Sequence, residues 1–370
     1  MSETTPHERT NLLGLTRSGL EAFVVAMGEK PFRARQLYKW IYKRAVGDFD
    51  AMTDLRKDFR RRLAEVAELR TPEILGTQVS ADGTRKWVLR FEGGQAIEAV
   101  FIPEPGRGTL CISSQVGCQM DCGFCATGAQ GFNRNLSTAE IVGQVWLANR
   151  ELGYSPDGDR VITNVVFMGM GEPFLNYENV RGAILLLNDP DGLGLGQRRI
   201  SVSTSGIVPG IERFTQEQWQ VNLAVSLHAP TDTLRSQLMP INRTYPLGTL
   251  MPALDHYVAV TNRRLMLEYL LLGGVNDGPD DARQLADLVR AWPNVSRLGL
   301  VNLLTYNPTR DAYGHWDAFK GPSERTLATF EDALTGRGIP WTRRVSFGTD
   351  IGGACGQLAG ESASPRNTRL

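Results

Sequence analysis

Three cysteines lie within one short segment, Cys118-Gln-Met-Asp-Cys122-Gly-Phe-Cys125. Three thiolates with this C-x3-C-x2-C spacing can hold three irons of a [4Fe–4S] cluster, which leaves the fourth iron open to a small molecule. A structural zinc site is the alternative. Zinc usually takes four ligands in pairs, however, and the histidine nearest to this segment along the chain is His228. The spacing therefore favours an iron–sulfur site.

The chain of 370 residues has five cysteines, an odd number, and its first residues show no charged segment followed by an apolar stretch. Clustered cysteines in such a chain indicate metal binding in a reducing compartment rather than a disulfide framework. No apolar run reaches the length needed to span a bilayer. We therefore expect a cytoplasmic protein with no membrane partner.

Two further cysteines, Cys111 and Cys355, lie outside this group. Cys355 falls in the glycine-rich segment 348–356, and loops of this kind carry function more often than packing. Cys111 lies in an apolar run just before the three-cysteine segment. A free cysteine often serves only as a small hydrophobic residue, and residue type alone leaves that alternative open for both.

Small polar or acidic residues follow several apolar runs, where they could bind a ligand. In the segment GMGEP, Gly171 would let the backbone approach a ligand closely, and Glu172 could accept a hydrogen bond from an ammonium group. The other candidates of this kind are Ser203, Ser226, Leu227, His228 and Asn307. The structural alternatives are a tight turn with a helix-capping acid and a histidine that is satisfied in the core.

Hydrophobic periodicity changes twice along the chain. Up to residue 72 apolar residues recur at spacings of three and four, which predicts a small helical domain. The next segment contains two β-like runs, Thr84–Phe91 and Ala96–Ile102, beside the turn signals Asp-Gly and Gly-Gly, which predict a β-hairpin. We predict a helical domain, a hairpin extension, a core domain and a C-terminal loop and tail, over residues 1–72, 73–103, 104–349 and 350–370 respectively.

From residue 109 onwards six apolar runs alternate with six helical patterns. This alternation predicts an α/β fold in which parallel strands are joined by crossover helices. A closed eight-fold barrel would need two more units, so we predict a partial (β/α)6 barrel, with a doubly wound sheet as the alternative. In either fold the site lies at the carboxyl ends of the strands.

Positive charge is concentrated near the N-terminus although the whole chain is neutral. Residues 30–62 hold 11 basic residues against 4 acidic ones, interleaved with Phe32, Tyr38, Trp40 and Tyr42. Basic and aromatic residues mixed in this way suit a polyanion with exposed bases, such as RNA. A solvated helix face is the alternative.

Several motifs in order along the chain carry a resemblance to a known family. The segments are SSQVGC, FCATGAQGFNRNL, FMGMGEP, STSGIVP, SLHAP and ACGQLAG. Together they resemble the bacterial dual-specificity rRNA and tRNA adenine C2-methyltransferases, a family of radical S-adenosylmethionine (radical SAM) enzymes. The resemblance extends from Gly28 to Gly360.

The resemblance implies a role for each candidate residue. Cys118, Cys122 and Cys125 would hold the [4Fe–4S] cluster, and the residues that follow the strands would bind S-adenosylmethionine. Two molecules of it would be used per turnover, one to methylate Cys355 and one to yield a 5′-deoxyadenosyl radical.

The resemblance also implies how the product is released. The methylene on Cys355 would add to adenine C2, and Cys111 would then free the RNA by forming a transient disulfide with Cys355. Glu98 matches the family's acid/base position, although a solvated strand glutamate is its alternative.

The implied partners are 23S rRNA, tRNA, and an electron donor such as a flavodoxin or ferredoxin, with the enzyme acting as a monomer. Two other functions stay open at this point. One is the paralogous enzyme that methylates C8 of the same rRNA adenosine, and the other is a non-catalytic RNA-binding protein with a metal.

Overall fold

The structure is a computed structural model that describes residues 9–309 and 319–359. The last residue of the ACGQLAG motif, Gly360, and the rest of the predicted tail lie outside the described residues, as do residues 1–8 of the predicted helical domain. No helix of the described ranges is long and apolar enough to cross a membrane.

A small helical module begins the described chain, as the apolar spacings predict. Its elements are β1 (Thr10–Asn11), α1 (Arg17–Ala26), α2 (Phe32–Tyr38), α3 (Lys57–Val66) and β2 (Ala67–Glu68). A π-helical segment over Lys39–Lys43 continues α2. The Thr16 hydroxyl caps α1 by accepting from the Gly19 amide (3.4 Å). Short helices of this kind are stabilised by the apolar faces that they bury together.

Three of the four aromatic residues that are interleaved with the basic ones lie in the core of this module, and the fourth lies at its surface. Tyr38, Trp40 and Tyr42 are buried, and the Tyr42 hydroxyl donates to the Leu13 carbonyl (2.9 Å). Phe32 is 52% exposed. The interpretation of these three rings as stacking platforms for bases is therefore wrong, because they are packed into the hydrophobic core.

The predicted hairpin is part of a four-stranded antiparallel arrangement. Its strands are β3 (Glu73–Val79), β4 (Arg85–Arg90), β5 (Ala96–Glu104) and β6 (Arg107–Cys111). A tight Pro-Gly turn joins β5 and β6, where Gly106 has a φ of 70°. The hairpin extension and the barrel therefore share one continuous sheet.

The three-cysteine segment follows β6 as a long loop with little regular structure. The elements around it are β7 (Gln115–Gly117), α4 (Ala126–Gln130) and β8 (Phe132–Asn135). Strands β7 and β8 pair antiparallel and bring the two ends of the loop together. A Cβ on Gly117 would lie 1.9 Å from the Gly131 carbonyl oxygen, so only glycine fits at this crossing.

The remaining strands lie parallel to β6 and to one another. They are β9 (Asn164–Phe167), β10 (Ile200–Thr204), β11 (Asn222–Ser226), β12 (Leu265–Leu271), β13 (Gly299–Thr305) and β14 (Trp341–Arg344). In the ten-stranded sheet the strands from β14 to β9 are followed by β6, β5, β4 and β3. The spatial order follows the chain without reversal, which excludes the doubly wound alternative.

The helices of the barrel alternate with these strands. They are α5 (Thr138–Glu151), α6 (Tyr177–Asn188), α7 (Val208–Gln216), α8 (Asp232–Leu238), α9 (Leu247–Thr261), α10 (Pro279–Arg290), α11 (Pro293–Leu298) and α12 (Glu324–Thr335). A capping box begins α5, since Ser137 and Glu140 each accept from the other's amide.

The prediction of a partial barrel built from six strand–helix units is confirmed, and β14 adds a seventh parallel strand. The sequence analysis missed β14 because its residues, Trp-Thr-Arg-Arg, show no apolar run. An edge strand pairs on one side only and tolerates charged side chains. Among the described residues β14 and β3 do not pair, so the sheet stays open.

The N-terminal module packs on the barrel through α5. The buried Trp146 ring donates from Nε1 to the Ile41 carbonyl (2.8 Å), and the Tyr154 hydroxyl donates to the Lys43 carbonyl (3.0 Å). Both bonds end on the π-helical segment of the module. The module is thus attached by backbone contacts as well as by apolar packing.

We predict that Trp146→Phe lowers the free energy of unfolding by about 1–3 kcal/mol, because the buried Ile41 carbonyl loses its donor. Trp341→Phe is the matched control. Its ring donates to the exposed Thr335 hydroxyl (2.9 Å), which water can serve instead. Urea denaturation of both variants measures the difference, and equal losses would contradict this role of Trp146.

Candidate active site

The carboxyl ends of the parallel strands border a cleft. This is the edge where a barrel of this kind places its site. The sequence-predicted residues that line the cleft are Cys118, Cys122, Cys125, Gly171, Glu172, Ser203, Ser226, His228 and Cys355. Residues far apart in the chain therefore meet in one place.

Four predicted site residues lie outside the lining of this cleft. Cys111 borders a second cavity, which Cys355 also lines. Leu227 is fully buried, and its amide donates to the Glu268 carbonyl (2.9 Å). Asn307 donates to the Cys355 carbonyl (3.4 Å), and Glu98 lies under the loop that carries Cys355.

The three-cysteine loop is folded tightly enough to bring its thiols into one cleft. The Cys125 amide donates to the Cys122 carbonyl (3.1 Å), and Asp121 takes a left-handed φ of 52°. Burial, with the neighbouring thiols, raises the pKa of Cys118 to about 12 and that of Cys122 well above its usual range. Thiols in this environment ionise when a bound cation compensates their charge.

The donor set fits a [4Fe–4S] cluster held by three thiolates. In the described ranges no three His, Cys, Asp or Glu side chains converge on a single metal ion. A cluster requires instead that each thiolate reaches its own iron. The three thiols share one buried cleft with polar groups on its opposite wall, as a cluster with one open iron would need.

Gly171 and Glu172 form a rigid corner beside the loop. Gly171 has a φ of 98°, and a Cβ on it would lie 2.5 Å from the Cβ of Gln115. The Glu172 carboxylate accepts from the Phe174 amide (3.0 Å) and the Ser205 amide (2.7 Å). Burial raises the pKa of Glu172. Its oxygens keep lone pairs that could accept from an ammonium group.

His228 combines the two interpretations that the sequence left open. Its Nδ1 accepts from the Leu270 amide (3.0 Å), so Nε2 carries the proton. Burial and then the charge of Arg235 lower the pKa of His228 to about 3. The ring is satisfied by backbone and also lines the cleft, edge-on to Phe124 with centroids 4.9 Å apart. His228 is thus a neutral hydrogen-bond donor at pH 7.

The sequence analysis did not predict two polar side chains that line the cleft. Ser205 Oγ and Glu268 Oε2 are buried without a hydrogen-bond partner among the described residues, and both residues line the cleft. Buried polar atoms in this state indicate a missing ligand or water. Glu268 carried a usable signal, because it is the single acid within the apolar run Leu265–Leu271.

The loop that carries Cys355 is fixed by the hairpin extension. Lys86 Nζ donates to the Gly352 carbonyl (3.3 Å) and pairs with Glu98 (3.2 Å). The other oxygen of Glu98 accepts from the Ala359 amide (2.9 Å). Glu98 therefore anchors the loop on the far side of Cys355 and lines neither cavity.

Cys111 and Cys355 are both free thiols, and the described residues contain no disulfide. Burial and then the charge of Cys355 raise the pKa of Cys111 to about 12, whereas Arg344 opposes this rise. Arg344 lines both cavities with Cys355. The sequence analysis missed this arginine because it lies on the edge strand β14.

Two family models match the chain. The ribosomal RNA large subunit methyltransferase N-terminal domain matches residues 10–69, and the radical SAM superfamily matches residues 112–289. The first covers the helical module, and the second begins one residue after β6.

Curated relatives match nearly the whole chain. A dual-specificity RNA methyltransferase RlmN of Alkalilimnicola ehrlichii is 51% identical, over 95% of this chain and 94% of the relative. The protein of the same name from Marinobacter nauticus is 46% identical, over 95% and 93%. Among solved structures, a radical SAM methyltransferase from Sphaerobacter thermophilus superposes with a TM-score of 0.88 at 45% identity, over 95% of this chain and all of that one.

The lowered pKa of His228 predicts a pH dependence of stability. In the unfolded chain this histidine binds a proton below about pH 6.5, whereas in the folded protein it does so only near pH 3. The free energy of unfolding should therefore fall as the pH falls through that window. His228→Asn, which tolerates the left-handed φ of 55°, should remove up to about 1.4 kcal/mol per pH unit from the slope.

The measurement is the free energy of unfolding by urea at several values of pH between 5 and 6.5. His256→Asn is the control, because His256 is exposed. If the free energy of unfolding depends on pH with the same slope in both variants, the assignment of His228 as a buried neutral residue is wrong.

Proposed function

The chain belongs to the family of dual-specificity RNA methyltransferases named RlmN, within the radical SAM superfamily, and on that premise we propose that it methylates carbon 2 of an adenosine in 23S rRNA and in tRNA. One observation carries the proposed mechanism. Cys355 opens to the cleft that holds the three-cysteine loop and also to the cavity that holds Cys111. A single thiol can thus receive a group on one side and be attacked from the other.

In this proposal Cys118, Cys122 and Cys125 hold a [4Fe–4S] cluster. When bound, the cluster supplies the electron that cleaves S-adenosylmethionine to methionine and a 5′-deoxyadenosyl radical. Two molecules of S-adenosylmethionine are consumed per turnover.

The polar wall of the cleft binds S-adenosylmethionine. Glu172 accepts from its ammonium group, and His228 donates from Nε2. The hydroxyls of Ser203 and Ser226 suit its ribose and carboxylate. We also retain Gly171, Leu227 and Asn307 in this binding set, Gly171 for close backbone approach and the other two for their backbone and amide groups at the strand ends.

Cys355 is the methyl carrier. Its thiolate attacks the methyl group of the first S-adenosylmethionine, so that a carbon–sulfur bond forms while the sulfonium bond breaks and S-adenosylhomocysteine leaves. The exposure of Cys355 supports this role, and the guanidinium of Arg344 beside it stabilises the thiolate. The 5′-deoxyadenosyl radical takes a hydrogen atom from that methyl group, and the methylene radical left on Cys355 bonds to adenine C2. The resulting adduct would give one electron back to the cluster as the proton at C2 leaves.

Cys111 releases the product. Its thiolate attacks the sulfur of Cys355, a disulfide forms and the carbon fragment leaves with the RNA; a reductant then restores both thiols. We retain Glu98 as the group that moves the proton at C2. Its support is its contact with the Ala359 amide on the Cys355 loop. Because its carboxylate is tied to Lys86 and Ala359, this role requires the loop to shift when RNA binds.

The domain boundaries are also part of the proposal. The helical module covers residues 1–72, the hairpin extension 73–103, the barrel 104–349 and the C-terminal loop and tail 350–370.

The proposal also includes the partners of the enzyme. A flavodoxin or ferredoxin supplies electrons to a monomeric enzyme in the cytoplasm. Relatives named for dual specificity favour two RNA substrates over the single rRNA of the C8-methylating paralogue.

The helical module contacts RNA through its charges. Many of its arginines are already paired; for example, Arg35 pairs with Asp191, and Arg56 pairs with Glu29. Lys57 and Arg61 on α3 are exposed and form no ion pair with a described residue. They are therefore the cations best placed for phosphate contacts.

We predict that the double variant Lys57→Gln with Arg61→Gln flattens the salt dependence of RNA affinity. Each lost phosphate contact should reduce the slope of log K against log salt by roughly 0.7–0.9. Arg56→Gln is the control, because its charge is already paired. Filter binding between 50 and 200 mM salt provides the slopes, and an unchanged slope in the double variant would favour a solvated helix face.

The two cysteine roles predict different failures. Iron-loaded enzyme with S-adenosylmethionine and unmodified 23S rRNA should yield 2-methyladenosine, identified by mass spectrometry of the nucleosides. Cys111→Ala should instead stop after addition, with RNA joined covalently to Cys355. Purified Cys111→Ala should carry nucleic acid that survives denaturation and disappears on nuclease treatment.

Cys355→Ala and the double variant of both cysteines are the controls, since neither has a methyl carrier and neither should form the adduct. A product methylated at C8 would replace the proposed position. Normal turnover by Cys111→Ala, or an adduct in Cys355→Ala, would show that the roles are wrong.

A further inference from the structure

Arg235 is an arginine without any exposed surface, on helix α8 behind the cleft. Its Nε donates to the Leu227 carbonyl (3.1 Å), and its Nη2 donates to the Ser205 (2.7 Å) and Ser226 (3.0 Å) carbonyls. Its Nη1 donates to Oδ1 of Asn242 (2.9 Å). The guanidinium therefore ties together the ends of β10 and β11, where the proposed ligand-binding residues lie.

The charge of Arg235 has no carboxylate in contact with it among the described residues. Oδ1 of the nearby Asp232 instead accepts from the side-chain amide of Asn242 (3.0 Å) and from the backbone amide of Leu247 (2.8 Å). Burial lowers the pKa of Arg235 to about 10, so it remains a cation at neutral pH. A buried charge is costly unless an anion or a set of oriented dipoles compensates it, and here only neutral oxygens do so.

Helix α8 lies directly against the three-cysteine loop. The Gly123 amide donates to the Leu238 carbonyl (3.0 Å), and Cys122 and Cys125 pack on the small apolar cluster that contains Leu238 and Met239. The Met239 amide in turn donates to the Arg235 carbonyl (2.7 Å). The arginine thus lies one helical turn behind the wall on which the cysteines rest.

We propose that Arg235 is a positioning residue which supplies the buried positive charge that offsets the negative charge of the cluster beside Cys122, and which holds the ends of β10 and β11 for S-adenosylmethionine. The inference rests on the proposed function, because it requires the cluster. A cluster bound by three thiolates becomes more negative on reduction. A nearby buried cation therefore favours the reduced state, and its loss should move the midpoint potential to more negative values.

Three variants separate the charge from the hydrogen bonds. Arg235→Gln removes the charge and most of the bonds. Arg235→Lys keeps the charge, but its ammonium cannot reach the carbonyls of both strand ends. Asn242→Asp keeps every bond that Arg235 makes and places a carboxylate against Nη1, so it neutralises the charge while the strand ends stay tied together, although it removes the amide donor from residue 242 to Asp232 and Ser236. The matched control is Arg243→Gln, which removes an exposed arginine eight residues along the chain.

The experiment uses reconstituted full-length enzyme. The midpoint potential is measured by spectroscopic redox titration without S-adenosylmethionine, and the affinity for S-adenosylmethionine by equilibrium binding. Arg235→Gln and Asn242→Asp should have more negative potentials than wild type, and Arg235→Lys and Arg243→Gln should not. Arg235→Gln and Arg235→Lys should bind S-adenosylmethionine about tenfold more weakly or worse, as is typical when a residue behind a binding group is lost.

If Arg235→Gln does not fold, Asn242→Asp still decides the electrostatic part. An unchanged potential in Asn242→Asp would overturn that part. Unchanged affinity for S-adenosylmethionine in Arg235→Lys would overturn the role in holding the strand ends. Wild-type enzyme that fails to assemble a cluster would contradict the proposed function instead, so the two failures are distinguishable.

Discussion

The structure depends on one constraint, that the Cys355 thiol must be held at the open side of an incomplete barrel. A closed barrel would have strands on both sides of this position, whereas here the gap between β14 and β6 is crossed by a glycine-rich loop. Such a loop has little apolar surface with which to fix itself. The hairpin extension compensates for this with the buried Lys86–Glu98 pair and with Asp82, which accepts from the Gly348 amide (2.8 Å).

This constraint explains why the extension belongs to the same sheet as the barrel. Strand β5, which carries Glu98, pairs with β6, which ends at Cys111. Cys111 and the loop that carries Cys355 are therefore both positioned by the same short stretch of paired backbone. Ser113 holds this stretch in place as well. Its hydroxyl donates to the Glu98 carbonyl (2.7 Å) and accepts from the Met170 amide (2.9 Å), in the segment that leads to Glu172. One buried hydroxyl thus connects the extension, the first strand and the ligand-binding corner.

The sequence predicted the parts of this site that local spacing encodes. The C-x3-C-x2-C loop and the polar residues after apolar runs could be located because parallel strands bring their carboxyl ends together. The contribution of β14 could not be predicted, since an edge strand shows no apolar run, nor could the environment of Arg235, which resembles any surface arginine on a short helix. Similarly, Tyr38, Trp40 and Tyr42 looked like surface groups because they alternate with basic residues along the chain, and only the tertiary structure shows that they belong to the core.

The electrostatics around the two free cysteines also impose an order on their chemistry. Burial raises the pKa of Cys111, and a negative charge on Cys355 would raise it further. Once Cys355 carries a carbon group its sulfur has no charge, and this second cause is removed. Arg344, which lies near both cysteines, lowers the pKa of Cys111. Alkylation of Cys355 therefore makes Cys111 easier to ionise, at the stage at which the proposed mechanism needs its thiolate.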